Sequence, residues 1–140
     1  MMGNRAVITT PEKRLGLYLH WNGGRDSVEG FLLYCKMKEH TELTVDSTYG
    51  FARLAQVVGN FFGGSISVGV GTVDMLDCDN GNNGTYIVEG WAIVGREHFD
   101  GLEQDVYPLL DMLLAIDAKQ PENEQLGEER IRDMLKEVPR

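Results

Sequence analysis

The sequence has little cysteine, little proline and a deficit of positive charge. Two cysteines, Cys35 and Cys78, are too few for a disulfide scaffold, and they read as free thiols of a reducing, cytoplasmic setting. Four prolines leave the chain free to form regular elements, and Pro11, Pro108 and Pro121 mark places where elements start or stop. No apolar run approaches the roughly 18 residues of a membrane helix, and the stretch MMGNRAVITTPEKR lacks the apolar heart of a signal peptide. Lys and Arg number 13 against 22 Asp and Glu, a net charge of −9, which argues against a direct nucleic-acid reader. His20, His40 and His98 show no ligand spacing with each other or with the cysteines, and neither H-E-x-x-H nor G-x-S-x-G occurs. The sequence asks for no metal and no cofactor.

What remains has the composition of one globular domain. The chain is 140 residues long with 42% hydrophobic and 25% charged residues, and it can bury about two-thirds of its unfolded surface without staples. Strands are expected at Ala6 to Thr10, Leu15 to Trp21 and Ser65 to Val70. A hairpin is expected over Thr85 to Val88 and Trp91 to Val94, turning at Glu89-Gly90. Val28, Phe31, Leu32 and Cys35 give an apolar stripe to a helix from about Asp26 to Glu39. A second helix runs from about Thr48, with Asp46 or Ser47 as N-cap, to Phe62, and Gly63-Gly64 ends it. Leu102, Val106, Leu109, Leu113 and Ile116 mark a third helix that Pro108 must start or kink. Gln120 to Asn123 reads as a linker, and Ile131, Met134, Leu135 and Val138 as a short last helix. The expected fold is α+β: a small, mostly antiparallel sheet packed on two helices, with residues 1–100 as the core and 101–140 as an acidic helical extension of the same domain.

Three stretches have the residue types that chemistry needs. His20-Trp21-Asn22-Gly23-Gly24-Arg25 carries a strand end into two glycines and a helix start. Backbone N–H groups in such a turn, the helix N-terminus and the Arg25 fork suit a phosphate or carboxylate. The plain alternative is a turn followed by a helix capped by Asp26 or Ser27. Arg53, Gln56 and Asn60 share one polar helix face, with Tyr49 a turn earlier; it is either a recognition face or a solvated one. Asp77 to Gly84 imitates the start of a calcium loop, but its twelfth residue is Val88 and its glycine falls at the fifth position, so a turn before the hairpin is the better reading. Arg96 either reaches back to an acidic loop or stands as a surface charge.

The charge is uneven. Residues 97–140 hold 12 acids and 5 bases. Glu122, Glu124, Glu128, Glu129 and Asp133 are the candidates for a face that meets a basic partner, against the alternative of a merely solubilising surface. The hairpin edge also leaves self-association open.

Two resemblances bear on these residues. Gly23-Gly24-x-Asp26-Ser27 resembles the PP-loop of ATP pyrophosphatases, with Asn22 in place of that family's first serine. The resemblance would imply ATP cleavage, but it covers about a tenth of the chain. The GNRAVIT, LHWNGGRDSVEGFL, YGFARLAQVVGNFFGG and DCDNGNNGTYIV stretches together resemble a group of small proteins of phages and mobile elements of Firmicutes, over about residues 3–100. That resemblance implies a non-enzymatic binding protein, with anti-defence inhibition of a host effector as one such role and sequestration of a nucleotide as another. The acidic segment fits the first mode. The Asn22-Gly23-Gly24-Arg25 loop, with Trp21 stacking a base, fits the second.

Overall fold

The computed structural model describes residues 3–44, 48–64 and 66–138. The proposed N-cap at Asp46 or Ser47 and the proposed strand start at Ser65 lie outside the described residues. Strands β1 (Ala6–Thr9), β2 (Leu15–Leu19), β3 (Val68–Thr72), β4 (Thr85–Glu89) and β5 (Ala92–Glu97) form one sheet in the order β3-β2-β1-β4-β5. Neighbours run antiparallel except β1 and β4, which pair in parallel with Val7 opposite Thr85. Helices α1 (Arg25–Met37), α2 (Thr48–Phe61), α3 (Leu109–Ala118) and α4 (Glu128–Lys136) complete an α+β fold.

Alternation along each strand sends Ala6, Ile8, Leu17, Leu19, Tyr86 and Val88 into one core. The expected α1 stripe of Val28, Phe31, Leu32 and Cys35 is buried in the same cluster. Phe31 meets the Phe61 ring edge-on at 5.3 Å, and Phe61 meets Phe62 at 5.2 Å. Burial pushes the Cys35 thiol pKa up, so this cysteine is packing and not a nucleophile.

Helix α1 has a second buried face. Gly30 lets α3 approach so closely that a Cβ there would lie 2.6 Å from Met112 Cγ. One turn on, the Tyr34 hydroxyl donates to buried Asp117 Oδ1 at 2.5 Å. Asp117 also accepts from the Leu126 and Gly127 backbone N–H groups at 2.8 and 2.9 Å, which ties the start of α4 to the end of α3. Residues 101–140 therefore contribute Met112, Leu113, Ile116, Leu126 and Ile131 to the main core.

The opposite sheet face is closed by the β3–β4 connection. Leu76 lies over Gly16, where a Cβ would sit 2.8 Å from its methyl. Asn80 holds this connection together: its amide donates to the Asp77 and Gly84 carbonyls, and its Oδ1 accepts from Asn82 N and Gly84 N. The Asp77–Gly84 stretch is thus a self-bonded turn.

Four expectations need correction. The third strand runs over Val68–Thr72, two residues beyond the expected end. The hairpin turns at Gly90-Trp91, because Glu89 pairs with Ala92, and Val94 bulges where the register shifts. Helix α3 begins at Leu109, with Pro108 as its cap; residues 101–108 form no regular element, and Leu102 and Val106 are 95% and 71% exposed. Gln120 is a buried anchor instead of a linker residue, its amide donating to Val57 O and Ile116 O.

Asp117→Ala removes the acceptor of one buried hydroxyl and two N–H groups. Each unpaired buried group costs about 1–3 kcal/mol, so a loss of about 3 kcal/mol and a fall in Tm of roughly 10 °C are expected. Tyr34→Phe should cost less, because it leaves both N–H bonds in place. Calorimetry of the two variants checks this order.

Candidate functional site

The loop from His20 to Arg25 forms a turn with a helix start whose N-cap is Gly24, not the expected Asp26 or Ser27, and the Gly23 N–H, the Asn22 amide and the Arg25 guanidinium already have partners. Asn22 takes the left-handed conformation (φ 56°), and its amide donates to Ser27 Oγ at 3.2 Å. Gly23 N donates to Asn4 O at 2.8 Å, and Gly23 O accepts the buried Tyr86 hydroxyl at 2.7 Å. A Cβ at Gly23 would lie 2.5 Å from Asn4 O, so glycine is required there by the close approach of two backbones. Gly24 is covered by the Gln104 side chain, which also accepts from Asn4 Nδ2 at 2.8 Å.

Glu103 fills the position expected for an exogenous anion. Arg25 Nη1 donates to Glu103 at 3.0 Å while its Nε donates to Glu29 at 2.7 Å. Arg96 Nη1 reaches both Glu103 oxygens at 2.5 and 2.6 Å, and Arg96 Nη2 donates to Asn83 O at 2.9 Å. The Arg96 guanidinium lies between the Tyr86 and Phe99 rings, 4.0 and 3.9 Å from their centroids. This stacking is favourable where water is excluded, and the Arg96 side chain is only 11% exposed.

Asp26 holds the same segment by its other end. Its Oδ2 accepts Val106 N and Tyr107 N at 2.8 and 3.0 Å, and its Oδ1 accepts Ser27 N at 2.7 Å. Residues 101–108 therefore form a strap pinned by Glu103, Gln104 and the Asp26 carboxylate. Carboxylates at a helix N-terminus are stabilised by its free N–H groups, and Asp26 uses that position for the chain's own loop.

Burial alone would raise the Glu103 carboxyl pKa, but hydrogen bonds from Arg96 and Arg25 overcome it and hold the carboxyl below its ordinary value.

His20 and Trp21 stand apart from the strap. His20 Nδ1 lies 2.9 Å from the Tyr18 hydroxyl, and its ring meets Trp21 edge-on at 5.1 Å. Trp21 is 40% exposed. The polar face of α2 does different work: Asn60 Nδ2 donates to Gln120 Oε1 at 2.9 Å, which joins α2 to the end of α3. Arg53 is half-buried and Gln56 exposed. Glu122, Glu124, Glu128, Glu129 and Asp133 are all exposed, on a 3-10 turn at Glu122–Glu124 and on α4. Glu128 pairs with Arg132 at 2.7 Å and Asp133 with Lys136 at 3.8 Å. Among the described residues no group of three or more His, Cys, Asp or Glu side chains is arranged to hold a metal ion, and no helix is long and apolar enough to cross a membrane.

Comparison of the chain with protein-family models, with curated proteins and with solved structures finds no match.

The depressed Glu103 carboxyl gives a pH dependence with a definite sign. A carboxyl whose pKa is lower in the folded state stabilises the fold above its unfolded pKa, about 4.3, and that contribution disappears as pH falls through the folded value. The wild type should melt above Glu103→Gln at pH 7, and the gap should close as pH drops below about 4. A gap that is the same at pH 7 and pH 3.5 would contradict the ion-pair assignment.

Proposed function

We propose that this protein is a non-enzymatic binding protein of the cytoplasm that meets a basic partner surface through the acidic outer side of its C-terminal helices. The observation that carries the reading is the exposure of Glu122, Glu124, Glu128, Glu129 and Asp133 on one continuous C-terminal segment. That segment belongs to a region with 12 acids and 5 bases in 44 residues. Buried Asp117 fixes the end of α3 to the start of α4, so these charges sit on an anchored scaffold and not on a free tail. A pre-ordered charged face loses less entropy on association than a flexible one. Complementary charge also steers encounter and raises the association rate.

The resemblance to proteins of phages and mobile elements supports a host effector as that partner and inhibition of a defence system as the outcome. The alternative, a nucleotide or phosphate on Asn22, Gly23, Gly24 and Arg25, has less support. Gly23 N is bonded to Asn4, Gln104 covers Gly24, and Arg25 is held by Glu29 and Glu103. A ligand there would first have to displace the strap.

The test uses immobilised protein and a bacterial lysate at about 0.05 and 0.5 M salt. Screening shortens from roughly 14 Å to about 4 Å over that range. A specific partner should be retained at low salt, be reduced by about tenfold or more at high salt, and be lost from the Glu128→Lys/Glu129→Lys variant at low salt. Retention indifferent to salt and to both reversals would overturn the reading.

A further inference from the structure

Strand β3 is an edge of the sheet and pairs only with β2. Its register runs without a shift from Thr72 opposite Leu15 to Val68 opposite Leu19. His20 N donates to Ser67 O and Val73 N donates to Arg14 O, which marks these two pairs as hydrogen-bonded ones. Antiparallel ladders alternate hydrogen-bonded and non-hydrogen-bonded pairs. Ser67, Gly69, Gly71 and Val73 therefore turn their main-chain groups toward β2, and Val68, Val70 and Thr72 turn theirs to the free side. Among the described residues, no hydrogen bond from another segment reaches the main chain of these three.

Nothing blunts this edge. Val68–Thr72 has no charge, no proline and no bulge, which are the usual guards of an open strand. The other edge, β5, is interrupted by its bulge at Val94 and ends in Arg96 and Glu97. Val70 is 56% exposed, and Ile66 and Met75, just outside the strand, are exposed as well. The two glycines of β3 point the same way. Glycine weakens a strand interior, and there it often marks a place where another backbone comes close. Nothing within the chain needs glycine at either position. A Cβ on Gly69 would lie 3.9 Å from Tyr18 Cβ, and one on Gly71 would lie 3.8 Å from Leu76 Cδ2, both ordinary contacts.

The edge is complementary to itself. A twofold axis through Val70 sets Val70 opposite its own copy, Val68 opposite Thr72 and Gly69 opposite Gly71. The outward-facing residues then fall on hydrogen-bonded pairs, each exchanging both N–H···O bonds. The glycines fall on the closer, non-bonded pairs, where no side chain stands in the way. Val70 packs on Val70 across the strands. No charge meets a like charge along this pairing, although each chain carries a net charge of −9.

We infer that two copies of this chain pair antiparallel through β3 and join their sheets into one. Such a twofold interface uses the same patch on both copies and closes on itself. The inference does not depend on the proposed function, because none of the acidic C-terminal residues takes part. It adds that the binding unit presents two acidic faces, which lets two contacts with a partner assembly reinforce each other. The whole-molecule charges repel, so salt strengthens the dimer by screening them, the reverse of its effect on a basic partner.

The test is sedimentation of the full chain from about 0.01 to 1 mM in about 0.05 and 0.5 M salt. The expected result is a monomer–dimer equilibrium that is tighter at the higher salt. Val70→Lys should weaken it by at least about tenfold, with the melting temperature of dilute protein unchanged. Val94→Lys, at a β5 position of matching exposure (57%), should leave it as in the wild type. Amide exchange of the wild type reads the pairing itself. Between dilute and concentrated protein, exchange at Val68, Val70 and Thr72 should slow by about fivefold or more, while Gly69 and Gly71, already bonded to β2, stay the same. A wild type that remains monomeric at about 1 mM in 0.5 M salt would overturn the inference, as would a dimer that survives Val70→Lys or is lost in Val94→Lys. If Val70→Lys also lowers the melting temperature, the wild-type exchange decides. Rates at Val68, Val70 and Thr72 that do not change with concentration would then overturn the pairing.

Discussion

A guanidinium taken out of water needs a carboxylate beside it, and Arg96 sets that requirement for this fold. Its side chain lies between two aromatic rings at the C-terminal end of β5, with one nitrogen on the Asn83 carbonyl. Unpaired, such a buried charge would be strongly destabilising. Glu103 supplies the counter-charge, and to do so the chain after β5 must turn back across the start of α1. The consequences follow in order along the strap. Gln104 is laid on Gly24, Val106 and Tyr107 are delivered to Asp26, and Pro108 starts α3 where Gly30 can admit it. One ion pair thereby closes the glycine loop and sets where α3 begins.

The same arrangement explains how a loop with the residues of an anion site takes a structural role. Arg25, the helix N-terminus and two glycines are present, and the chain satisfies them with Glu103, Asp26 and Gln104. Tying basic groups down internally leaves the molecule's excess carboxylates facing outward. Asp105 and the acids of α4 are exposed, while Glu29 and Glu103 are paired with Arg25 at the surface.

Periodicity made much of the fold readable. The Val28–Phe31–Leu32–Cys35 stripe, the alternation of Leu15 to Leu19 and the glycines after α2 each encode an element locally, and the structure has these elements within a few residues. The second buried face of α1 was not readable, because Gly30 and Tyr34 do not register as an apolar stripe; their meaning lies in Met112 and Asp117, about 80 residues away. The strap is not legible in the sequence for a related reason. Leu102 and Val106 have helical spacing with Leu109, yet Pro108 lacks the N–H that a continuous helix requires, and both side chains face solvent. Glu103 and Gln104 carried no local signal at all, being one acid among 22 and one amide among several. The loop residues 20–25 read as either an anion site or a turn, and they form a turn. Their partners could not be seen, since Glu103 lies 78 positions beyond Arg25.

The central claim is that the Arg96–Glu103 pair holds the strap, and through it the loop. The direct test is a double-mutant cycle between Arg96→Met and Glu103→Gln, read by the hydrogen exchange of the Val106 and Tyr107 amides. The account predicts that either single change exposes both amides to exchange, and that the second change then adds little, with a coupling of about 1 kcal/mol or more. Strictly additive effects, or amides as protected in Glu103→Gln as in the wild type, would contradict it.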